Sequence, residues 1–255
     1  MRFDVIGAGP AYTDRAGATG ACYLVRHAGA SLVLDVGQGS FPRLAGLVDP
    51  AEVDAFVVSH LHPDHYIDLV PLRHYLRYEK PRRRVRVIGP AELGPRLDAL
   101  HGEPGFSAQS LDIEALTVGT IDIGPFALEA RRVTHTDDSY GFRLAPGDGG
   151  AGGDVPGLVY SGDCGRAEDL DALVRPGDTL LCEVSIGPGP VVPGAGHLDG
   201  PAVGDLARRT RAGRVLLTHL QMGYHRGATV DSVRARFDGG PVELVDPGFE
   251  TSIGG

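Results

Sequence analysis

The chain has 255 residues, of which 42% are hydrophobic and 22% charged, with 38 Gly, 19 Pro and no Trp. This is the composition of a folded, turn-rich globular protein and excludes wholesale disorder and a collagen-like repeat. The formal net charge of −9 excludes a generally polycationic nucleic-acid binder and leaves only a local basic patch for that role.

Met1 to Gly9 reads as a short apolar strand entering a glycine turn. It lacks the basic start and long apolar stretch of a signal peptide, and nothing later in the chain has the length of a membrane span. Short β-rich runs follow Phe3–Ile6 at Cys22–Arg26, Ser31–Asp35, Ala55–Val58, Val85–Ile88, Phe126–Val133, Tyr140–Leu144, Leu158–Ser161, Thr179–Glu183, Val215–Thr218 and Val242–Val245. Helical patterns fall at 65–78, 90–100, 167–174, 199–211 and 229–237. The mixture predicts an α/β fold of sheets with helices on their outer faces. Pro146 to Gly157 is low in complexity and predicts a flexible loop between two strands. Chemistry-bearing residues lie on both sides of it, so residues 1–255 are expected to form one domain. Cys22, Cys164 and Cys182 are odd in number and widely spaced, as expected of reduced, buried thiols in a cytoplasmic protein.

Val5-Ile6-Gly7-Ala8-Gly9-Pro10-Ala11-Tyr12 begins like a dinucleotide fingerprint. Tyr12 stands where the third glycine must allow close helix–strand packing, and the following residues read as loop. A glycine-rich turn after the first strand accounts for the segment.

Ser59-His60-Leu61-His62-Pro63-Asp64-His65 follows the apolar run Ala55–Val58. Four potential ligands fall within six residues, and imidazole and carboxylate are the ligands of a Zn²⁺ site. His60 and His62 project the same way if the strand persists, while the turn at Pro63 swings Asp64 and His65 towards a neighbouring position. One cluster can thus feed two adjacent metal sites.

This motif resembles that of the metallo-β-lactamase superfamily, and the likeness extends along nearly the whole chain. Leu32-Val33-Leu34-Asp35-Val36-Gly37 is similar to the family's strand ending in Asp and Gly. His135, Asp163 (in Tyr160-Ser161-Gly162-Asp163) and His219 (in Val215-Leu216-Leu217-Thr218-His219) follow in order, each at or just after a strand end. The resemblance implies an αββα sandwich of two mixed sheets flanked by helices. It implies one metal on His60, His62 and His135, a second on Asp64, His65 and His219, and Asp163 bridging them. The two divalent metal ions are expected to be Zn²⁺, although Mn²⁺ and Fe²⁺ also suit such ligands. A homodimer is implied by the resemblance as well.

Paired metals acidify a water and either clamp a phosphodiester or polarise a carbonyl, so the ligands alone leave the substrate open. Gly196-His197-Leu198 precedes a predicted helix with Asp199 as N-cap. It resembles the ribonuclease Z-like phosphodiesterase branch, which usually has Ser or Thr at that cap. The resemblance implies that His197 protonates the leaving oxygen or stabilises charge on phosphate and that Glu183 orients it; Asp64 is expected to be a ligand that also orients the attacking hydroxide or accepts its proton. The interval from His135 to Asp163 is too short for the arm with which members of that branch grip transfer RNA precursors. Ser139-Tyr140-Gly141-Phe142-Arg143 and Leu181-Cys182-Glu183-Val184-Ser185 are similar to bacterial cyclic-nucleotide phosphodiesterases of the superfamily. The expected activity is therefore metal-dependent hydrolysis of a small phosphodiester such as a cyclic nucleotide, with no nucleic-acid or membrane partner. A carbonyl hydrolase (thioester, lactone or β-lactam), a ribonuclease Z-type endonuclease and a non-catalytic sensor remain as alternatives.

Arg73 to Arg86 carries six Arg and one Lys against one Glu. It is read as a solvated helix face and turn, with phosphate attraction as the alternative. His27, His74, His101 and His225 match no family position, and Cys164 is read as structural because Asp163 already fills the ligand place.

Overall fold

Strand alternation decides which way each side chain points, and here both faces of most strands are buried. A computed structural model describes residues 1–147, 155–192 and 194–254. The chain forms β1 (Arg2–Gly7), β2 (Cys22–His27), β3 (Ala30–Leu34), β4 (Ala55–Val57), β5 (Val85–Gly89) and β6 (Leu111–Ala115). These lie in one seven-stranded sheet, completed by the late strand β14 (Glu250–Ser252) beside β1. The second sheet runs β13-β12-β11-β10-β9-β8-β7. Its members are β7 (Gly119–Ile123), β8 (Phe126–Arg132), β9 (Tyr140–Pro146), β10 (Leu158–Tyr160), β11 (Thr179–Glu183), β12 (Arg214–Thr218) and β13 (Val242–Leu244).

The side chains sort into three apolar layers. Tyr23 and Val25 on β2 face Leu144 and Tyr160 of the other sheet in the central layer. Leu24, one position out of phase, faces outward and joins Leu72, Leu76 and Leu97. Leu180 and Cys182 on β11 likewise turn outward to Leu206 and Val233, while Leu181 turns inward. Each fully buried Leu, Val or Phe contributes about 1.5–3 kcal/mol. The helices cover the outer faces: α1 (Phe41–Ala45), α2 (Pro63–Tyr66), α3 (Leu69–Glu79) and α4 (Leu93–His101) lie against the first sheet. The second sheet is covered by α5 (Gly200–Thr210) and α6 (Arg226–Arg234). This is the αββα sandwich the sequence led us to expect.

Several local expectations are corrected. The helix expected at 65–78 is two pieces, because Asp68 is diverted: its N–H donates to Val36 and its carboxylate accepts from the Phe41 N–H at 2.8 Å. The helix at 167–174 shrinks to a 3₁₀ turn, Ala167–Leu170. The helix expected at 229–237 starts earlier, where the His225 ring caps the Ala228 N–H at 3.1 Å. Strands β6, β7 and β14 were not foreseen. The glycine-rich Pro146 to Gly157 segment lies mostly outside the described residues. Cys22, Cys164 and Cys182 are free and buried. Among the described residues no helix is long and apolar enough to cross a membrane.

The basic stretch is largely consumed in ion pairs. Arg83 pairs with Glu52, Arg84 with Asp112, Arg86 with Glu114 and Lys80 with Asp49. Arg73 is buried and donates to the Leu97 carbonyl and to Ser107. His74 packs on His101 and Phe106, beside Arg73.

Candidate metal centre

Parallel pairing sends β3 and β4 to one edge of the first sheet, and β10, β11 and β12 to one edge of the second. β8 runs antiparallel to β9, which runs antiparallel to β10, so β8 ends at that edge too. The carboxyl ends of these strands carry His60, His135, Asp163, Glu183 and His219, and such strand ends are where open α/β sheets place their chemistry. The two sheets are tied there by the Tyr140 N–H donating to the Ser59 carbonyl at 3.1 Å, and by the His219 N–H donating to the Ala8 carbonyl at 3.0 Å. The glycine-rich turn after β1 thus serves as a brace. A Cβ on Gly37 would stand 1.9 Å from the Asp64 carbonyl oxygen, so only glycine lets the Asp35–Gly37 turn approach the motif this closely.

All seven expected ligands come together. His60, His62, His135 and Asp163 form one group; Asp64, His65, His219 and Asp163 form another, and Asp163 belongs to both. His62 Nδ1 and His135 Nε2 are 3.1 Å apart. His219 Nε2 lies 3.0 Å from Asp64 Oδ2 and 3.5 Å from Asp163 Oδ1. His65 Nε2 lies 3.3 Å from the same Asp163 oxygen.

Hydrogen-bond direction shows that these atoms suit cations. The Gly196 carbonyl can only accept, so His135 donates to it from Nδ1 at 2.7 Å and its Nε2 is a bare lone pair. Asp35 takes the Nδ1–H of His65 at 2.7 Å, which leaves Nε2 as the nitrogen turned to the cluster. Ser59 donates its hydroxyl proton to Asp35 at 2.8 Å, and so accepts from His60 Nδ1 at 3.2 Å. Bare imidazole nitrogens therefore converge on carboxylate oxygens. The buried His60 Nε2 and Asp163 Oδ1 have no hydrogen-bond partner. Such an arrangement repels itself unless positive charge lies between the groups, and buried polar atoms are rarely left unpaired. The donor set fits two divalent cations.

Electrostatics agree. Burial, with His65 adding to it, holds His60 well below the ordinary histidine pKa; burial and His135 lower that of His62. Neutral imidazole is the ligating form. Burial opposes charge on Asp163 and Asp64, yet the adjoining His219 and His65 keep both carboxyls below their usual range. Burial also opposes charge on His65, but Asp163 and Asp35 push it well above its usual value. These carboxylates favour positive charge at His65 Nε2, a place that a proton takes in the metal-free protein and that a bound cation would have to take from it.

Beside this cluster the buried Glu183 accepts from His197 Nδ1 at 2.9 Å and from the Cys164 N–H at 2.9 Å. The His197 ring lies between those of His135 and His219, with centroids 4.8 and 5.8 Å away. Burial opposes its protonation, but Glu183 raises its pKa above the ordinary value. Asp199 caps α5 as expected, accepting from the Ala202 N–H at 2.9 Å, and its other oxygen accepts from the Val191 N–H at 2.8 Å. Cys164 is buried and donates to the Arg166 carbonyl, consistent with a structural role. The sequence reading assigned no role to Asp35, Ser59, Tyr160 or Ser185. The only signal was the Asp-Val-Gly sequence after β3.

A layered αββα sandwich with this histidine–aspartate cluster at its strand ends defines a metal-binding hydrolase. Residues 33–220 match the family model described as a beta-lactamase superfamily domain, and the chain belongs to the metallo-β-lactamase superfamily. It is 33% identical over 238 residues to the protein Rv1339 of Mycobacterium tuberculosis, covering 88% of this chain and 82% of that protein. It is 30% identical over 236 residues to a ribonuclease Z of Salinibacter ruber, covering 84% of this chain and 69% of that enzyme. The crystal structure of YhfI from Bacillus subtilis, a metallo-β-lactamase fold protein, superposes with a TM-score of 0.84 at 23% identity, covering 98% of this chain and 99% of that one.

Proposed function

We propose that this metallohydrolase is a phosphodiesterase acting on a small phosphodiester such as a cyclic nucleotide. In this reading His60, His62 and His135 would hold one divalent cation and Asp64, His65 and His219 the other, with Asp163 available to both groups. Bound there, the cations supply Lewis acidity towards phosphoryl oxygens and lower the pKa of a water; Zn²⁺ suits the ligands, as do Mn²⁺ and Fe²⁺. Asp64 would orient an attacking water or accept its proton. His197 delivers a proton to the leaving alkoxide, and Glu183 holds the ring for that task.

The observation that carries this reading is the pair of buried Glu183 and half-buried His197 at 2.9 Å, beside the ligand cluster. An alkoxide leaving group needs an acid there, whereas the thiolate of a thioester leaves without one. The name of the ribonuclease Z relative also supports phosphodiester chemistry. A small substrate is favoured by the stretch from His135 to Asp163, whose described residues hold β9 and β10 and no RNA-gripping arm. The pairing of most of the basic stretch with acids favours it too.

The test is turnover of cyclic nucleotides, bis(p-nitrophenyl) phosphate, thioesters and precursor transfer RNA, with metal content measured on the same samples. His62→Ala and Asp163→Ala should abolish phosphodiester hydrolysis in folded protein. His197→Ala should lower it by about 10²–10⁴ with metal retained. Full activity of His197→Ala, or turnover only of thioesters, would favour a carbonyl hydrolase instead.

A further inference from the structure

The Glu183 carboxylate reaches further than His197. Its Oε2 accepts from the Ser185 hydroxyl at 2.6 Å and from the Ser185 N–H at 3.0 Å. Ser185 Oγ also lies 2.9 Å from His219 Nδ1. Glu183 and Ser185 are fully buried and His219 nearly so, so water does not compete for these contacts. A serine hydroxyl has one proton. An ionised carboxylate can only accept, and it takes that proton, so the oxygen is left to accept from His219. The Nδ1 proton of His219 is thereby turned to Ser185, and Nε2 is the nitrogen facing Asp64 and Asp163. His197 donates from Nδ1 to the other oxygen of the same carboxylate. One buried group thus fixes the proton position on two imidazoles, through the chain His219–Ser185–Glu183–His197.

We propose that Ser185 is a positioning residue that passes the acceptor character of Glu183 to His219, so that the second cation site and the orientation of His197 depend on one carboxylate. The inference rests on the two-cation reading above. Partners of this kind behind a metal-bound histidine are typically worth about 10–100-fold in affinity.

The test is calorimetric titration of metal-free protein with Zn²⁺, for the wild type and the Ser185→Ala, Ser185→Thr and Glu183→Gln variants. Wild type should take up two ions. Ser185→Ala should bind the first as before and the second about 10–100-fold more weakly, and Ser185→Thr, which keeps the hydroxyl, should restore it. Glu183→Gln should weaken the second ion as well, because the amide donates to Ser185 and turns its hydroxyl proton towards His219. In the Zn²⁺-loaded wild type, the ¹H–¹⁵N spectrum should show a His219 Nδ1 proton protected from solvent, and Ser185→Ala should lose that protection. Thermal unfolding of the metal-free variants verifies folding. Wild-type affinity for both ions in Ser185→Ala, or no rescue by Ser185→Thr, would overturn the inference while leaving the two-cation reading intact. Uptake of a single ion by the wild type would overturn that reading and this inference with it.

Discussion

Asp35 accepts from Nδ1 of His65 at 2.7 Å across the junction between β3 and the motif turn. The same carboxylate accepts from the Ser59 N–H at 2.7 Å, the Ser59 hydroxyl at 2.8 Å and the Tyr160 hydroxyl at 2.7 Å. It is wholly buried. Asp35 therefore binds the ligand loop of the first sheet to β10 of the second, and it fixes the proton on His65.

Asp35→Asn tests this with little backbone disturbance. Asp35 has φ +57°, and asparagine tolerates that left-handed conformation. The amide presents N–H groups to donors that have lost their acceptor. Metal content after dialysis should fall, with affinity at the His65 site lowered by about 10–100-fold, and thermal stability should drop. Retention of both ions at wild-type affinity would contradict the role given to Asp35.

Metal removal should destabilise the fold as well as stop turnover, because the bare nitrogens and carboxylates are left facing one another. Chelated protein should melt at a lower temperature and recover on adding Zn²⁺ or Mn²⁺. The gain should grow with free metal, reaching about 2.7 kcal/mol at a hundredfold excess over Kd. A melting temperature independent of metal would refute this.

The opposite end of the second sheet holds a separate buried charge. Asp178, just before β11, accepts from Arg143 at 2.8 and 2.9 Å, from the Gly157 N–H at 2.6 Å and from the Arg175 N–H at 2.8 Å. Asp178→Ala leaves Arg143 buried and uncompensated, for a loss of about 3–5 kcal/mol in urea unfolding. The metal stoichiometry of the fraction still folded should be unchanged, since the ligands lie at the other end of the strands.

Asp49 provides a pH test away from the metal ligands. Lys80, the Ala51 N–H and the Tyr75 hydroxyl lower its pKa to about 2, from 3.8. A depressed carboxylate pKa stabilises the fold above the unfolded value, and the benefit disappears as pH falls through the folded one. Asp49→Asn should thus unfold more readily than wild type at pH 6, and the difference should close between pH 4 and about 2. The Lys80 pair is partly exposed, so the gap should be small and should narrow in high salt. A gap undiminished between pH 6 and pH 2 would contradict the assignment.

The motif histidines and aspartates were legible because each stands at the end of an apolar run, and parallel strands buried on both faces advertise themselves as such runs. The three unforeseen strands, β6, β7 and β14, are all at sheet edges. Their half-exposed residues, such as Asp112 and Glu114 on β6 and Asp122 on β7, dilute the apolar signal. Two of the helix boundaries that shifted did so because single side chains, Asp68 and His225, were captured by backbone N–H groups.

Through its resemblance to the metallo-β-lactamase superfamily, the sequence pointed to the sandwich, the seven convergent residues and the Glu183–His197 pair. Residue types standing at the ends of apolar runs carry that resemblance, and local pattern records them. Only the tertiary structure decided which nitrogen of each imidazole carries the proton. That depends on which acceptor lies against Nδ1: Asp35 for His65, the Gly196 carbonyl for His135, Ser185 for His219. These acceptors are distant in sequence from the histidines they orient, and only the packing of the two sheets brings them into contact.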